Sequence, residues 1–350
     1  MRETILKAYD SLRRKCRLAL RTSYLLPLAS YLLIAPAVAD EGGFDFDRWN
    51  TILHTIQDRA VAENIDPRVI NEVIQNGAFV PEVIKRDKNQ AEFKLTLDEY
   101  LARAVNADRI AKGRAARKKY PTLLRRTEQK YGVPPHIIMA FWGMESNYGD
   151  YKSRHKMSDA FLTLIYDGRR ETFFTEQLMA LMRIADKNNL PIWSLRGSWA
   201  GAMGHFQFIP TTLQQYGADG NGDGRIDVIN NVSDAMFSAG NYLNKLGWDK
   251  NEKILRIVAV PADFDASLAD GKTRKSLDEW AALGVKNLDG APIPRGAKVA
   301  GLVADFSGNA PLGGTRVAYL TYDNFYRIRK WNSSNHYAIA IALLAEKLKQ

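Results

Sequence analysis

The sequence predicts a mainly α-helical chain of the α+β class, and three observations carry that expectation. An apolar run from Tyr131 to Gly149 has no polar face, and the segments before it repeat apolar residues at helical spacing. Between Trp248 and about Ala318 the texture changes to short β-type runs broken by Pro, Gly and Asp.

In chain order, residues 40–130 read as a helical N-terminal domain. Trp49, Leu53, Ile56 and Ala60 recur at i, i+4, i+7 and i+11, with Asp47 as their N-cap. Asp66-Pro67 opens another helix, and residues 95–119 continue the pattern. Residues 131–247 form the expected catalytic core. There, Pro134 and Pro135 suit a first helical turn and Gly149 a stop. Ile137 to Phe141, Trp142 and Met144 predict burial on nearly every side. Residues 159–166 make a short helix, and Phe173, Phe174, Gln177, Leu178, Leu181 and Ala185 form a second stripe. In the stretch 197–210, three glycines within eight positions allow close backbone approach to a helix or a ligand. It lacks the Gly-Lys-Ser/Thr ending of a phosphate loop. Residues 248–320 read as a small β-containing insertion with strands near 254–260, 297–306 and 316–321 and one helix at 276–283. Residues 321–350 return to helix at 337–348 and complete the core.

The first 39 residues differ from the rest. Seven basic residues precede the apolar run Tyr24 to Ala39, which ends Ala37-Val38-Ala39. This reads as a signal peptide cleaved before Asp40, with an uncleaved anchor as the alternative. Cys16, the only cysteine, falls before the apolar run, so the mature chain would hold no disulfide and no lipid-anchor cysteine. Both features suit a bacterial periplasm. Removing residues 1–39 takes away seven basic and two acidic groups and lowers the net charge from +10 to +5. Such an excess suits an anionic partner but lacks the dense basic runs of a nucleic-acid binder.

Glu145 is the chemically interesting residue. A carboxylate in the last turn of a buried helix should have a raised pKa, because desolvation and the negative helix end both disfavour its charge. It could then donate a proton and take one back. The residues equally allow a Glu that caps a neighbouring helix or pairs with a buried Arg. No zinc spacing joins the five histidines, and no Gly-x-Ser-x-Gly elbow is present. Several aromatics, Trp142, Trp199, Phe208, Tyr242, Trp331 and Tyr337 among them, offer apolar ring faces, the Trp and Tyr rings with polar tips, of the kind that bind sugars. The loop 219–227 has the spacing of a calcium loop: Asp219, Asn221 and Asp223, the backbone oxygen of Arg225, and Gly224 at the turn. Its closing Glu is absent, and Asp234 could replace it. An Asp/Gly turn without metal is the alternative.

Gly143-Met-Glu145-Ser-Asn-Tyr-Gly149, the run 197–210 with Ser198, Gln207, Phe208 and Pro210, the acidic loop, Asn241-Tyr242 and Trp331-Asn332 with Tyr337 together resemble the B-type lytic murein transglycosylases. The likeness covers about residues 44–348. It implies a lysozyme-like helical core and cleavage of the bond between N-acetylmuramic acid and N-acetylglucosamine in peptidoglycan glycan strands. Glu145 would be the single acid/base, closing a 1,6-anhydro ring on the muramyl sugar. Usual glycosidases pair two carboxylates, and no second one stands near these motifs. The resemblance further implies Ser198 and Gln207 as substrate hydrogen-bonders and Phe208 and Tyr242 as cleft walls. Asn332, Tyr337 and Tyr100 would close the cleft, with Arg169 and Arg170 meeting substrate carboxylates. No cofactor is implied for the chemistry; calcium would be structural. Partners would be glycan strands and other cell-wall enzymes, with no nucleic acid and no membrane anchor in the mature chain. The sequence departs from the family in having Trp331 where Tyr is common, and in lacking the lipid-anchor cysteine. Two rival readings are a muramidase that uses water and a silent peptidoglycan-binding scaffold.

Overall fold

The computed structural model describes residues 43–89, 95–150, 154–307 and 315–349, so the expected leader at 1–39, with Cys16, lies outside the described residues. From Phe46 onward the chain forms one compact unit. It opens with helices α1 (Phe46–Ala62), α2 (Pro67–Asn76), α3 (Pro81–Lys88), α4 (Leu97–Ala104), α5 (Ala107–Lys119) and α6 (Pro121–Tyr131). Of the expected α1 stripe, Trp49, Ile56 and Ala60 are buried, while Leu53 is only partly covered and its neighbour Ile52 takes the core position. Asp47 lies in its first turn rather than at the cap, because the helix begins one residue earlier, at Phe46. Asp66 caps α2 through Arg68 N, as its Asp-Pro start predicts. The expected helical stretch 95–119 is divided in two. Asn106 adopts extended backbone there, and its side chain accepts from Arg109 N to start α5.

Next come α7 (Pro135–Ser146), α8 (Met157–Asp167) and α9 (Glu171–Lys187), then α10 (Pro210–Tyr216) and α11 (Val232–Lys245). A two-residue ladder joins β1 (His155–Lys156) to β2 (Arg196–Gly197). The chain ends with α13 (Asp323–Trp331) and α14 (Asn335–Leu348). Helix α7 is held by α14, α5, α6 and α11. Ile137 to Gly143 are all buried, as an apolar run without a polar face requires. Burying a side chain such as Phe141 stabilises by about 1.5–3 kcal/mol.

Residues 255–321 supply a five-stranded antiparallel sheet of β3 (Leu255–Pro261), β4 (Asp270–Ser276), β5 (Lys286–Asn287), β6 (Val299–Val303) and β7 (Thr315–Thr321), in the order β4-β6-β7-β3-β5. Helix α12 (Leu277–Ala282) starts on a Ser276/Glu279 capping box. The sheet has its own core, with Trp280, Val258, Val260, Leu302 and Leu320 inside it. A single larger core runs from Trp49 to Leu348 and draws on residues before and after position 130. The expected boundary near 130 therefore coincides with no break in packing. Strand β4 was not foreseen, since Asp270-Gly-Lys-Thr-Arg-Lys-Ser276 carries no apolar alternation; its pairing to β6 along one sheet edge makes it a strand.

Candidate active site

Helix α7 aims Glu145 into a cavity of about 810 Å³. Asn147, Tyr148 and Gly149 all have positive φ, so the helix stops at Ser146, three residues before the glycine that signals its end. Asn147 N and Tyr148 N bond back to Gly143 O and Trp142 O, which closes the last turn around the half-buried Glu145.

Two donors from the far end of the chain meet one oxygen of this carboxylate. Trp331 Nε1 donates to Glu145 Oε1 at 2.9 Å, and Tyr337 Oη donates to the same oxygen at 2.5 Å. The junction between α13 and α14 sets them there. Asn332 Oδ1 accepts from Ser334 N, and Ser334 Oγ caps α14 through Tyr337 N, so Trp331 ends one helix and Tyr337 begins the next. Phe141 packs against both rings, with centroids at 4.7 and 6.2 Å. Burial raises the Tyr337 pKa well above the ordinary tyrosine value, and the Glu145 charge and hydrogen bond push the same way. It is thus a permanent O–H donor at neutral pH.

Of the residues expected to bind substrate, Tyr100, Ser198, Gln207, Asn332 and Tyr337 line this cavity. Tyr100 lies 5.6 Å from the His336 ring, centroid to centroid. Ser198 Oγ accepts from Ala202 N and so shapes the wall it belongs to. Gln207 holds φ +48°, a strained value for a non-glycine residue, and its amide nitrogen donates to Gly204 O.

Four expected residues are not brought to the cavity. Phe208 is buried behind Trp331, 5.4 Å from its ring, because a ring with no polar tip gains most in the core. Tyr242 stacks on Tyr216 at 4.6 Å and packs tilted against Trp331 at 4.9 Å, outside the lining. Arg169 and Arg170 instead clamp the buried carboxylate of Asp87 on α3, Arg170 at 2.7 Å, and Arg169 also bonds Asp167 at 2.8 Å. A buried charge must be paired, and this one uses both arginines. Trp199, one of the aromatics expected to face a sugar, lines the cavity, as does His336, which was assigned no role there. Trp331 appears in the sequence as a family departure; nothing in a sequence tells which way its indole N–H points.

The acidic loop closes on itself. Asp219 accepts from Gly222 N and Gly224 N, Asn221 from Asp223 N, and Asp223 from Arg225 N. Asp234 lies fully buried beneath the loop, Oδ1 bonded to Gly220 N and Oδ2 to Asp227 N. Among the described residues no group of three or more acidic, His or Cys side chains is gathered to hold a metal. Asp234 thus staples Gly220 to Asp227 beneath the loop.

One acid at the end of a buried helix, facing an aromatic cleft in a mainly α fold with a β insertion, marks the lysozyme-like class of glycan-cleaving proteins. The family model described as "Transglycosylase SLT domain" matches residues 48–346, and the chain belongs to that family, the lytic murein transglycosylases. It is 34% identical over 252 residues to the membrane-bound lytic murein transglycosylase B of Escherichia coli (strain K12), an alignment that spans 71% of this chain and 66% of that protein. SltB3 from Pseudomonas aeruginosa, solved with NAG-NAM-pentapeptide, is 35% identical with a TM-score of 0.79, covering 86% of this chain and 79% of that one. The Escherichia coli lytic transglycosylase Slt35, solved with calcium, is 28% identical with a TM-score of 0.74, covering 85% of this chain and 92% of that one.

Proposed function

We propose that this chain cleaves the MurNAc-β-1,4-GlcNAc bond of peptidoglycan and leaves 1,6-anhydro-MurNAc ends, with Glu145 as its single general acid/base. The observation that carries the reading is that Glu145 is the only carboxylate among the described residues lining the cavity, and that it is oriented by two donors. Oε1 already accepts two hydrogen bonds, so the proton of the acid form belongs on Oε2. Delivered to the glycosidic oxygen, that proton releases the GlcNAc side. The carboxylate left behind, still held by Trp331 and Tyr337, takes the proton of the muramyl C6 hydroxyl as that oxygen closes on C1. The missing second carboxylate is replaced by the sugar's own acetamide, in place of the usual pair. Tyr100, Ser198, Gln207 and Asn332 hold the strand, and SltB3, crystallised with peptidoglycan fragments, supports that use of the cleft.

Calcium belongs to the proposal as a structural ion on Asp219, Asn221, Asp223 and the Arg225 carbonyl, with Asp234 beneath. The loop carboxylates keep lone pairs beyond those their amide partners use, so the turn can hold the ion as folded. The calcium-bound Slt35 supports it. A periplasmic location, reached through the leader at 1–39, suits a peptidoglycan substrate.

Digestion of purified sacculi with mass analysis of the released sugar ends tests the reading. Anhydro ends are expected, and none with Glu145→Gln. Reducing ends would make the protein a hydrolytic muramidase, and no release at all would make it a binding scaffold.

A further inference from the structure

His205 is tied to both sides of the turn that carries Glu145. Its Nδ1 accepts a hydrogen bond from Trp142 Nε1 at 3.1 Å, three residues before the acid. Its carbonyl accepts from Ser146 Oγ at 2.7 Å, one residue after the acid, and Ser146 Oγ accepts in turn from Gly149 N. The imidazole fills the space beside Gly149 so closely that a Cβ there would lie 2.7 Å from Cε1 and 2.8 Å from Nδ1. From its own turn, His205 N donates to Val228 O. Two residues on, Gln207 enters the cavity from a tight turn in which Met203 and Phe208 exchange backbone hydrogen bonds and Gly204 has φ +71°.

An indole N–H can only donate, so the Nδ1 that receives it carries no proton, and a neutral ring must hold its proton on Nε2. Burial keeps the imidazole below its ordinary pKa although Asp227 opposes this, so the ring is neutral at neutral pH. We propose that His205, as the Nε2–H tautomer, is a positioning residue that fixes the register between Glu145 on its helix and Gln207 on the opposite wall. Displacing an acid by about 1 Å can cost about a hundredfold in rate, and no other residue in this turn bonds to positions on both sides of Glu145.

The inference rests on the proposed function, and its test separates the two. His205→Phe keeps a ring beside Trp142 and Gly149 but removes the acceptor; His205→Asn returns an acceptor near the Nδ1 position. With soluble glycan fragments, the Phe variant should lose at least about tenfold in kcat with KM changed by less than about threefold, and Asn should recover most of the loss. Equal damage in the two variants, or full activity in Phe, overturns the inference. Activity surviving in Glu145→Gln would instead overturn the functional reading. Nitrogen NMR of the ring is independent of activity: an unprotonated Nδ1 beside a protonated Nε2 is expected, shifting when Trp142→Phe removes the donor. A protonated Nδ1 rejects the proposal even if a variant fails to fold.

Discussion

Trp331 and Glu145 lie 186 residues apart in sequence, yet the indole Nε1 stands 2.9 Å from the carboxylate Oε1. Tyr337 shares that oxygen, so the acid is oriented from one side by two donors that carry no titratable charge in the working range. Hydrogen bonds to charged groups contribute about 1.5–3 kcal/mol each. Trp331→Phe and Tyr337→Phe should therefore each lower kcat on glycan fragments by about tenfold to a hundredfold while the fold persists. Because the Tyr337 phenol resists ionisation, the wild-type rate profile should show no tyrosine limb up to pH 10. A decline near pH 9 that vanishes in Tyr337→Phe would contradict this assignment.

The arginine pair gives the opposite expectation. Asp87 is buried to 6% exposure, and removing both of its partners leaves an uncompensated charge, at a cost of about 3–5 kcal/mol. Arg169→Met/Arg170→Met should melt markedly lower, yet cleave sacculi at close to the wild-type rate below its melting point. A raised KM with unchanged stability would return these residues to the substrate.

That contrast indicates how far a sequence can be read. The Glu145 helix was legible because Ile137 to Met144 leave no polar face, and such a helix can only be a core element. The stripes of α1 and α9 were legible from their helical spacing and mostly buried, although Leu53 is only partly covered and Phe173 faces solvent. The fate of Arg169 and Arg170 was not, since a charge pair looks alike whether it faces solvent, a sugar carboxylate or an aspartate 82 residues back. Phe208 and Trp331 were equally hard to separate. Both are aromatic and near the motifs, but one backs the wall and the other bonds the acid, a difference set by the Asn332 and Ser334 caps. Strand β4 escaped because a polar edge strand takes its conformation from its neighbour rather than from its own pattern.

His136 should govern the acid side of stability. Burial, then Lys349, lowers its pKa from 6.5 to about 4, with Glu346 opposing. The unfolded chain therefore binds this proton at a higher pH than the folded one. Its contribution is fully present above pH 6.5 and is lost as the pH falls towards about 4. Urea midpoints measured at pH 7 and pH 4.5 should differ less in His136→Gln than in the wild type. Identical slopes in both would assign the acid sensitivity to other groups.

Asp234 separates a staple from a ligand. It is fully buried, and its two oxygens satisfy Gly220 N and Asp227 N with no ion required. Each buried donor left without an acceptor costs about 1–3 kcal/mol. Asp234→Ala should thus lose about 2–4 kcal/mol even in excess chelator, where no calcium contribution exists. Asp219→Ala and Asp223→Ala lie on the exposed rim; they should cost less in chelator and chiefly abolish the rise in melting temperature expected if calcium binds the folded state. If Asp234→Ala were neutral in chelator and destabilised only when calcium is present, its role would be that of a ligand, and the loop would owe its closure to the ion.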